Sequence, residues 1–249
     1  MKKYNRVIFG ATAFCAGLSE KLDSNDLIIE KNIFCCAEFS ASLNAKPISF
    51  SNYYDKKTTD FLKELKTRNI LDEKGRYSAI PLGTCMARIF LNQKATVLFD
   101  CTVTSVKKCD DGFVIEYFCE QGFKTVFASK IIDTTDIGVF GELETTANKY
   151  FLANVDFEKH NSSVLKGRFE NEGYLKVEAN GLNFLDAHKS VGKKADELHA
   201  KILAFSPVFA FEFQKPGFLE KEKNYYLYPS ASYPDFAVSF DSGLKAVLD

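Results

Sequence analysis

An α/β fold is predicted, in which a strand, helix, strand unit at the amino end is completed by the carboxyl end and β-rich material lies between them. Three observations predict it. Residues 6–9 and 27–30 are apolar runs on either side of a helical stretch whose Phe14, Leu18 and Leu22 share one stripe. Residues 95–135 and 150–178 then change to short runs of β character, and residues 225–248 return to a strand followed by a helix. The termini therefore share one domain, 1–149 plus 225–249, and residues 150–224 form a second.

In chain order the pattern predicts a strand at 6–9, a helix at 13–22 and a strand at 27–30. A loop rich in Ser, Asn and Ala follows at 35–54, then helices at 56–68 and 82–92. Short strands are expected at 96–99, 102–107, 113–119, 124–128 and 130–133. Turns at Asp110, Asp111 and Gly112 and at Gln121 and Gly122 make an antiparallel meander. Three strands are expected within 150–178, broken near Asn161 and at Asn171 to Gly173; a helix follows at 187–205, then strands at 208–213 and 225–228 and a closing helix at 236–248.

Composition narrows the function classes. The 249 residues are 46% hydrophobic and 26% charged, ordinary for a globular chain that needs no disulfides to bury a core. Lysine plus arginine number 32 against 33 acidic residues, so the formal charge of -1 gives no field to attract nucleic acid or an anionic membrane. No apolar run reaches the length of a bilayer span, and the amino end enters a strand directly, so a cytoplasmic location is expected. Seven cysteines without CxxC spacing read as reduced thiols, and three histidines without a close pair predict no metal site. The 24 phenylalanines and 11 tyrosines, beside no tryptophan, read as an aromatic core.

The amino-terminal unit carries a spacing with chemical meaning. A dinucleotide site needs a tight glycine turn after the first strand, a helix start aimed at the pyrophosphate, and an acidic side chain ending the second strand for the ribose hydroxyls. Gly10 ends the first strand and Glu30 closes the second, 20 residues later. Counted as GxGxxG from Gly10, the second and third glycines fall on Thr12 and Cys15, so a β-branched residue stands where backbone would approach the phosphates.

The string from Val7 to Leu18 with Leu27 to Asn32, including Glu30-Lys31, resembles the start of FAD-dependent oxidoreductases of the glutathione-reductase-like type. Ala128 to Asp136, with Thr134, Thr135 and Asp136, is similar to their motif after the meander, with Asp136 in place of a glycine. Residues 225–248 resemble their last strand, loop and closing helix, with Ser230-Ala231-Ser232 where Gly-Asp is usual. The resemblance spans 4–36, 80–140 and 225–249. It implies an FAD/NAD(P)-binding Rossmann-like domain with a β-meander and an inserted β-rich substrate or partner domain, residues 37–80 making an excursion to the substrate side.

On that resemblance FAD is the cofactor. Gly10, Ala11, Thr12 and Cys15 would line its pyrophosphate, Glu30 and Lys31 its ribose, and Val103 its adenine. Thr134, Thr135 and Asp136 would lie by the ribityl or pyrophosphate, and Asp235, Phe236 and Ala237 by the ring. The chemistry would be the flavin's, on a small-molecule or carrier-bound substrate, with no catalytic side chain assigned. Departures at Thr12, Asp136 and Ser230 to Ser232 keep a second class open: a catalytically degenerate subunit serving as scaffold or partner, in a complex or a homo-oligomer. Binding of NAD or another adenine nucleotide alone would leave the meander and closing helix unexplained. Cys35 and Cys36 pose a redox-active thiol against simple packing. Arg88 poses an anion contact against a surface ion pair. His188 and His199, placed on one helix, read as surface residues.

Overall fold

In a computed structural model, residues 1–156, 164–215 and 217–247 are described, and statements of structure concern these. The chain opens with β1 (Lys2–Phe9), α1 (Ala13–Leu18) and β2 (Asp26–Ile29), followed by α2 (Lys56–Thr67), α3 (Ala79–Asn92) and β3 (Thr96–Leu98). Next come β4 (Thr102–Cys109), β5 (Gly112–Cys119) and β6 (Gly122–Asp133). The middle contains β7 (Asn148–Asp156), β8 (Val164–Lys166), β9 (Glu172–Glu178), α4 (Phe184–Glu197), β10 (Lys201–Phe205) and β11 (Ala210–Glu212). β12 (Leu219–Glu222), β13 (Tyr225–Leu227) and α5 (Phe236–Lys245) close the fold.

Strands β3, β2, β1, β6 and β13 lie side by side and parallel, with β12 antiparallel at the edge. The meander β4, β5, β6 joins this eight-stranded sheet through β6. Both faces of the parallel part are covered, which is why β1 and β2 end in unbroken apolar runs. Alternation divides them: Ile8, Ile28 and Ile132 pack under the helices, whereas Val7, Phe9, Leu27, Ile29 and Ile131 pack against the meander. In register with each other on β1 and β2, Arg6 and Asp26 form a two-pronged ion pair at 2.8 and 2.6 Å.

A second sheet has the order β10, β7, β9, β8, with β11 also on β7. One face, with Phe151, Ala153 and Val155, packs against Ala187, Val191 and Ala195 of α4. The other sends Leu152, Tyr174 and Ala210 into the core under the first sheet's helices. Tyr174 pins the two layers together: its hydroxyl accepts from Ala79 N–H at 2.9 Å, at the start of α3.

The expected architecture is found, with five local corrections. The two strands expected at 124–128 and 130–133 are one strand, because β6 passes from the meander into the parallel sheet, pairing β5, then β1, then β13. The helix expected at 187–205 runs from Phe184 to Glu197; His199, at φ +51°, turns the chain into β10. Helix α1 gives way to a 3-10 turn at Ser19–Lys21. Helix α3 starts at Ala79, so Pro81 lies in the first turn, where its missing N–H is no loss. β12 was not expected: its alternation is hidden by charged residues on an exposed edge. The expected break at Asn161 lies outside the described residues. Among the described residues no helix is long and apolar enough to cross a membrane.

Candidate functional site

At the carboxyl ends of β1, β2 and β6 the connections leave in different directions, and such switch points of parallel sheets open crevices. A cleft of about 330 Å³ lies there. Gly10, Thr12, Glu30 and Lys31 form its floor, Cys101 to Val103 one flank, and Thr135 to Val139 another. The second sheet's side supplies a largely aromatic roof, Phe184, Phe209 and Phe211 with Pro207 and Val208. Gly10 takes φ +89° to turn out of β1, and a Cβ there would lie 3.1 Å from the methyls of Thr12 and Thr135.

The first N–H groups of α1 face this turn, and the chain's own side chains take them. Glu30 Oε2 accepts from Ala11 N–H at 2.7 Å. Glu38 Oε1 accepts from Ala13 N–H at 2.7 Å and from the Ser230 hydroxyl at 2.6 Å. Ser230 Oγ accepts from Phe14 N–H at 3.3 Å, and Thr12 Oγ1 caps the helix by accepting from Cys15 N–H at 3.1 Å. The Thr12 hydroxyl donates to Thr134 Oγ1 at 2.8 Å, and that of Thr134 donates to the carbonyls of Phe9 and Gly10. The helix start is thus a closed anion seat, with a carboxyl group already in it.

The electrostatics point the same way. Burial raises the pKa of Glu30, although its bonds to Asn32 and Ala11 work against the rise. Burial, then the nearby Asp136, pushes Glu38 upward; burial also raises Asp136, with Glu30 and Asp133 adding to it and Lys31 opposing. Asp133 is pushed up to about 6 by burial, although Thr135 and Val139 N–H groups and the Thr135 hydroxyl bond to its carboxylate. Three of these carboxyl groups, Glu30, Glu38 and Asp136, line the cleft, Asp133 is buried beside it, and each of the four holds its proton more tightly than in water.

Of the residues expected to form the site, Gly10, Thr12, Glu30, Lys31, Val103, Thr135 and Asp136 line the cleft. Ala11, Cys15 and Thr134 are fully buried beneath it. Asp235, Phe236 and Ala237 lie at the start of α5, away from the cleft: Asp235 caps the helix through Ala237 and Val238 N–H at 2.9 Å, and Phe236 and Ala237 are core. The sequence reading missed Glu38 and Ser230. A lone carboxylate within the apolar and small residues Cys35 to Leu43 was the available signal, since such a charge must find buried donors.

Cys35 and Cys36 are buried in the helix-side core, the Cys35 thiol donates to Gly83 O at 3.4 Å, and burial pushes the Cys36 thiol up. All seven cysteines are free. Arg88 pairs with Glu64 at 2.9 Å on the surface. His188 stacks on Phe205 at 3.5 Å, and His199 lies beyond the end of α4, so the two histidines do not share a helix.

FAD can be tested against these residues. Glu30 and the apolar flank at Val103 suit a ribose and a ring. The pyrophosphate does not fit: the Ala13 and Phe14 N–H groups that would bind it are held by Glu38 and Ser230.

No family model and no curated protein matches the sequence. Solved structures do match. A flavoprotein/dehydrogenase from Cytophaga hutchinsonii aligns at a TM-score of 0.58 with 14% identity, over 98% of this chain and 76% of that one. Anhydrotetracycline hydroxylase from Streptomyces rimosus aligns at 0.62 with 10% identity, over 97% and 60%. Glycine oxidase from Geobacillus kaustophilus aligns at 0.59 with 11% identity, over 98% and 93%. The chain spans about 55 to 60% of the length of the hydroxylases it matches. At these identities the likeness speaks for the fold. This chain has the Rossmann-like fold that these flavoprotein, hydroxylase and oxidase structures share.

Proposed function

We propose that the protein is a ligand-binding subunit built on a flavoenzyme fold, serving as a regulatory component or partner in a complex, and that it does not turn over FAD. One observation carries this reading: the helix start that would receive a pyrophosphate is closed by the chain's own Glu38, Ser230 and Thr12. Placing a diphosphate there would require breaking the Glu38 and Ser230 bonds to the helix. Each broken buried bond costs on the order of 1–3 kcal/mol. The departures at Thr12, Asp136 and Ser230 to Ser232 support the same conclusion.

A second reading, an FAD-dependent oxidoreductase acting on a small molecule, is favoured by Glu30 at the tip of β2 and by the cleft beside it. The visible spectrum of the purified protein, followed by titration with FAD, separates the two. The proposal expects a colourless protein that takes up no FAD at micromolar concentrations. A yellow protein that releases FAD on heating would establish the second reading instead.

A further inference from the structure

We infer that Cys101 and Cys119 form an oxidation site, a thiol pair on the flank of the cleft that a peroxide converts into a reversible cross-strand disulfide. The inference holds whichever ligand the cleft takes.

The strand register brings the two together. β4 and β5 pair Thr102 with Phe118 and Val103 with Tyr117, so one step further along the antiparallel ladder Cys101 stands opposite Cys119. Directly opposed residues in such a ladder hold their Cα atoms about 4.5–5.5 Å apart, within the roughly 4.4–6.8 Å that a disulfide spans. Alternation puts both side chains on the face of the meander that carries Val103 and Tyr117 and packs against the parallel strands. The two thiols lie within hydrogen-bond reach of each other. Cys101 donates to Phe99 O at 3.3 Å and Cys119 to Gly122 O at 3.4 Å, and thiols are weak donors, so little is lost when these bonds give way to a disulfide. Cys35 and Cys36 are also within reach of each other, but sequence neighbours hold their Cα atoms only about 3.8 Å apart, and both are sealed in the core.

Access gives the two cysteines different parts. Cys119 is partly exposed, whereas Cys101 is buried where it lines the cleft. Burial, with Cys119 and Asp100 adding to it, pushes the Cys101 thiol up to about 11, so it stays protonated at neutral pH and is the slower of the two to meet an oxidant. The Cys119 sulfur therefore attacks hydrogen peroxide first: an S–O bond forms, the O–O bond breaks, and water departs to leave a sulfenic acid. The Cys101 sulfur then attacks the Cys119 sulfur; the S–S bond forms, the S–O bond breaks, and the hydroxyl leaves with the Cys101 proton as a second water. Two electrons pass from the thiols to the peroxide, and an external dithiol returns them. Cys101 N–H donates to Glu30 O at 3.0 Å, and Thr102 and Val103 line the cleft, so the cross-link ties that flank of the cleft to β5.

The test treats the full chain under native conditions with a stoichiometric amount of hydrogen peroxide, blocks the remaining thiols with iodoacetamide and maps the unreduced digest by mass spectrometry. Cleavage after Glu116 and Glu120 separates Cys119 from Cys109, which trypsin would leave on one peptide. A disulfide between Cys101 and Cys119 is expected as the main product, reversed by dithiothreitol, and amide exchange at Thr102 and Val103 should slow several-fold with it. Cys109→Ser should leave the disulfide intact, whereas Cys101→Ser should leave Cys119 as a sulfenic acid that dimedone traps. Should a serine variant fail to melt cooperatively, the wild-type map alone decides. Oxidation confined to the exposed Cys109, a link between Cys101 and Cys109, Cys119 carried to sulfinic acid beside a free Cys101, or both thiols left unmodified would each overturn the inference. A disulfide that leaves the exchange of Thr102 and Val103 unchanged would overturn its hold on the cleft.

Discussion

Glu30 spends three of its four acceptor places on its own chain, and that makes it a structural residue before any ligand arrives. Replacing it by alanine leaves Ala11 N–H buried without a partner at the turn out of β1. Glu30→Ala is therefore expected to lower stability by about 1–3 kcal/mol in urea unfolding. An unchanged midpoint would mean that Ala11 has another acceptor. The residue was legible in the sequence because a fixed spacing separates the ends of β1 and β2. Glu38 was not, because its donors come from Ala13 and Ser230, 25 and 192 positions away along the chain. No local pattern announces a partner at that separation. Cys15 illustrates the same limit: its place in the motif puts it at the helix start, but its side chain points into the core, where burial raises its pKa well above the usual thiol range.

At the scale of elements, α1 and α5 meet backbone to backbone. A Cβ on Gly17 would lie 1.9 Å from Phe240 O, and one on Gly243 would lie 2.0 Å from Phe14 O. The two glycines face each other's helix reciprocally, so neither site can take a side chain without the helices separating. Gly243→Ala is expected to cost about 3 kcal/mol or more, since backbone cannot yield as a flexible side chain can. Thermal unfolding checks it, and a melting temperature within a degree of wild type would show that the helices can part freely. The contact also brings α5 close enough for Ser239 to reach Ser230, so the packing of two helices and the closing of the anion seat are one arrangement. Helix α5 was readable from its apolar spacing, whereas Asp235, expected beside a flavin ring, proves to be its cap. Its partner was not, because Gly17 and Gly243 mark close approach only once both helices have been placed.

For the molecule as a whole, the buried carboxyl groups set how stability follows pH. Asp133 holds its proton to about pH 6, and Glu38, Asp136 and Glu30 are raised in the same direction. Between pH 4 and 8 the folded chain therefore binds more protons than the unfolded chain, so stability falls as pH rises through this window. Asp133 alone accounts for on the order of 3 kcal/mol, from its ordinary value of 3.8 to about 6. Asp72, Asp241 and Glu212 are held down by bonds and ion pairs to Arg76, Lys245 and the pair Lys46 and Lys176; they act oppositely, but only as pH drops below about 4. The melting temperature should thus be several degrees higher at pH 5.5 than at pH 8. Asp133→Asn should flatten that slope, and a profile rising toward pH 8 would contradict the assignment.

Read alone, the sequence determined the α/β class, the parallel core of β1 and β2, the meander and the closing helix, because each leaves a periodic trace of burial within a few residues. It also determined where a cleft must lie, since a glycine turn and a carboxylate at the ends of neighbouring strands converge on one crevice. What occupies the helix start was decided only by the tertiary structure. That outcome depends on which of several competing acceptors reaches the Ala13 and Phe14 N–H groups, and Glu38 and Ser230 reach them only after the loop following β2 and the loop before α5 have folded over α1.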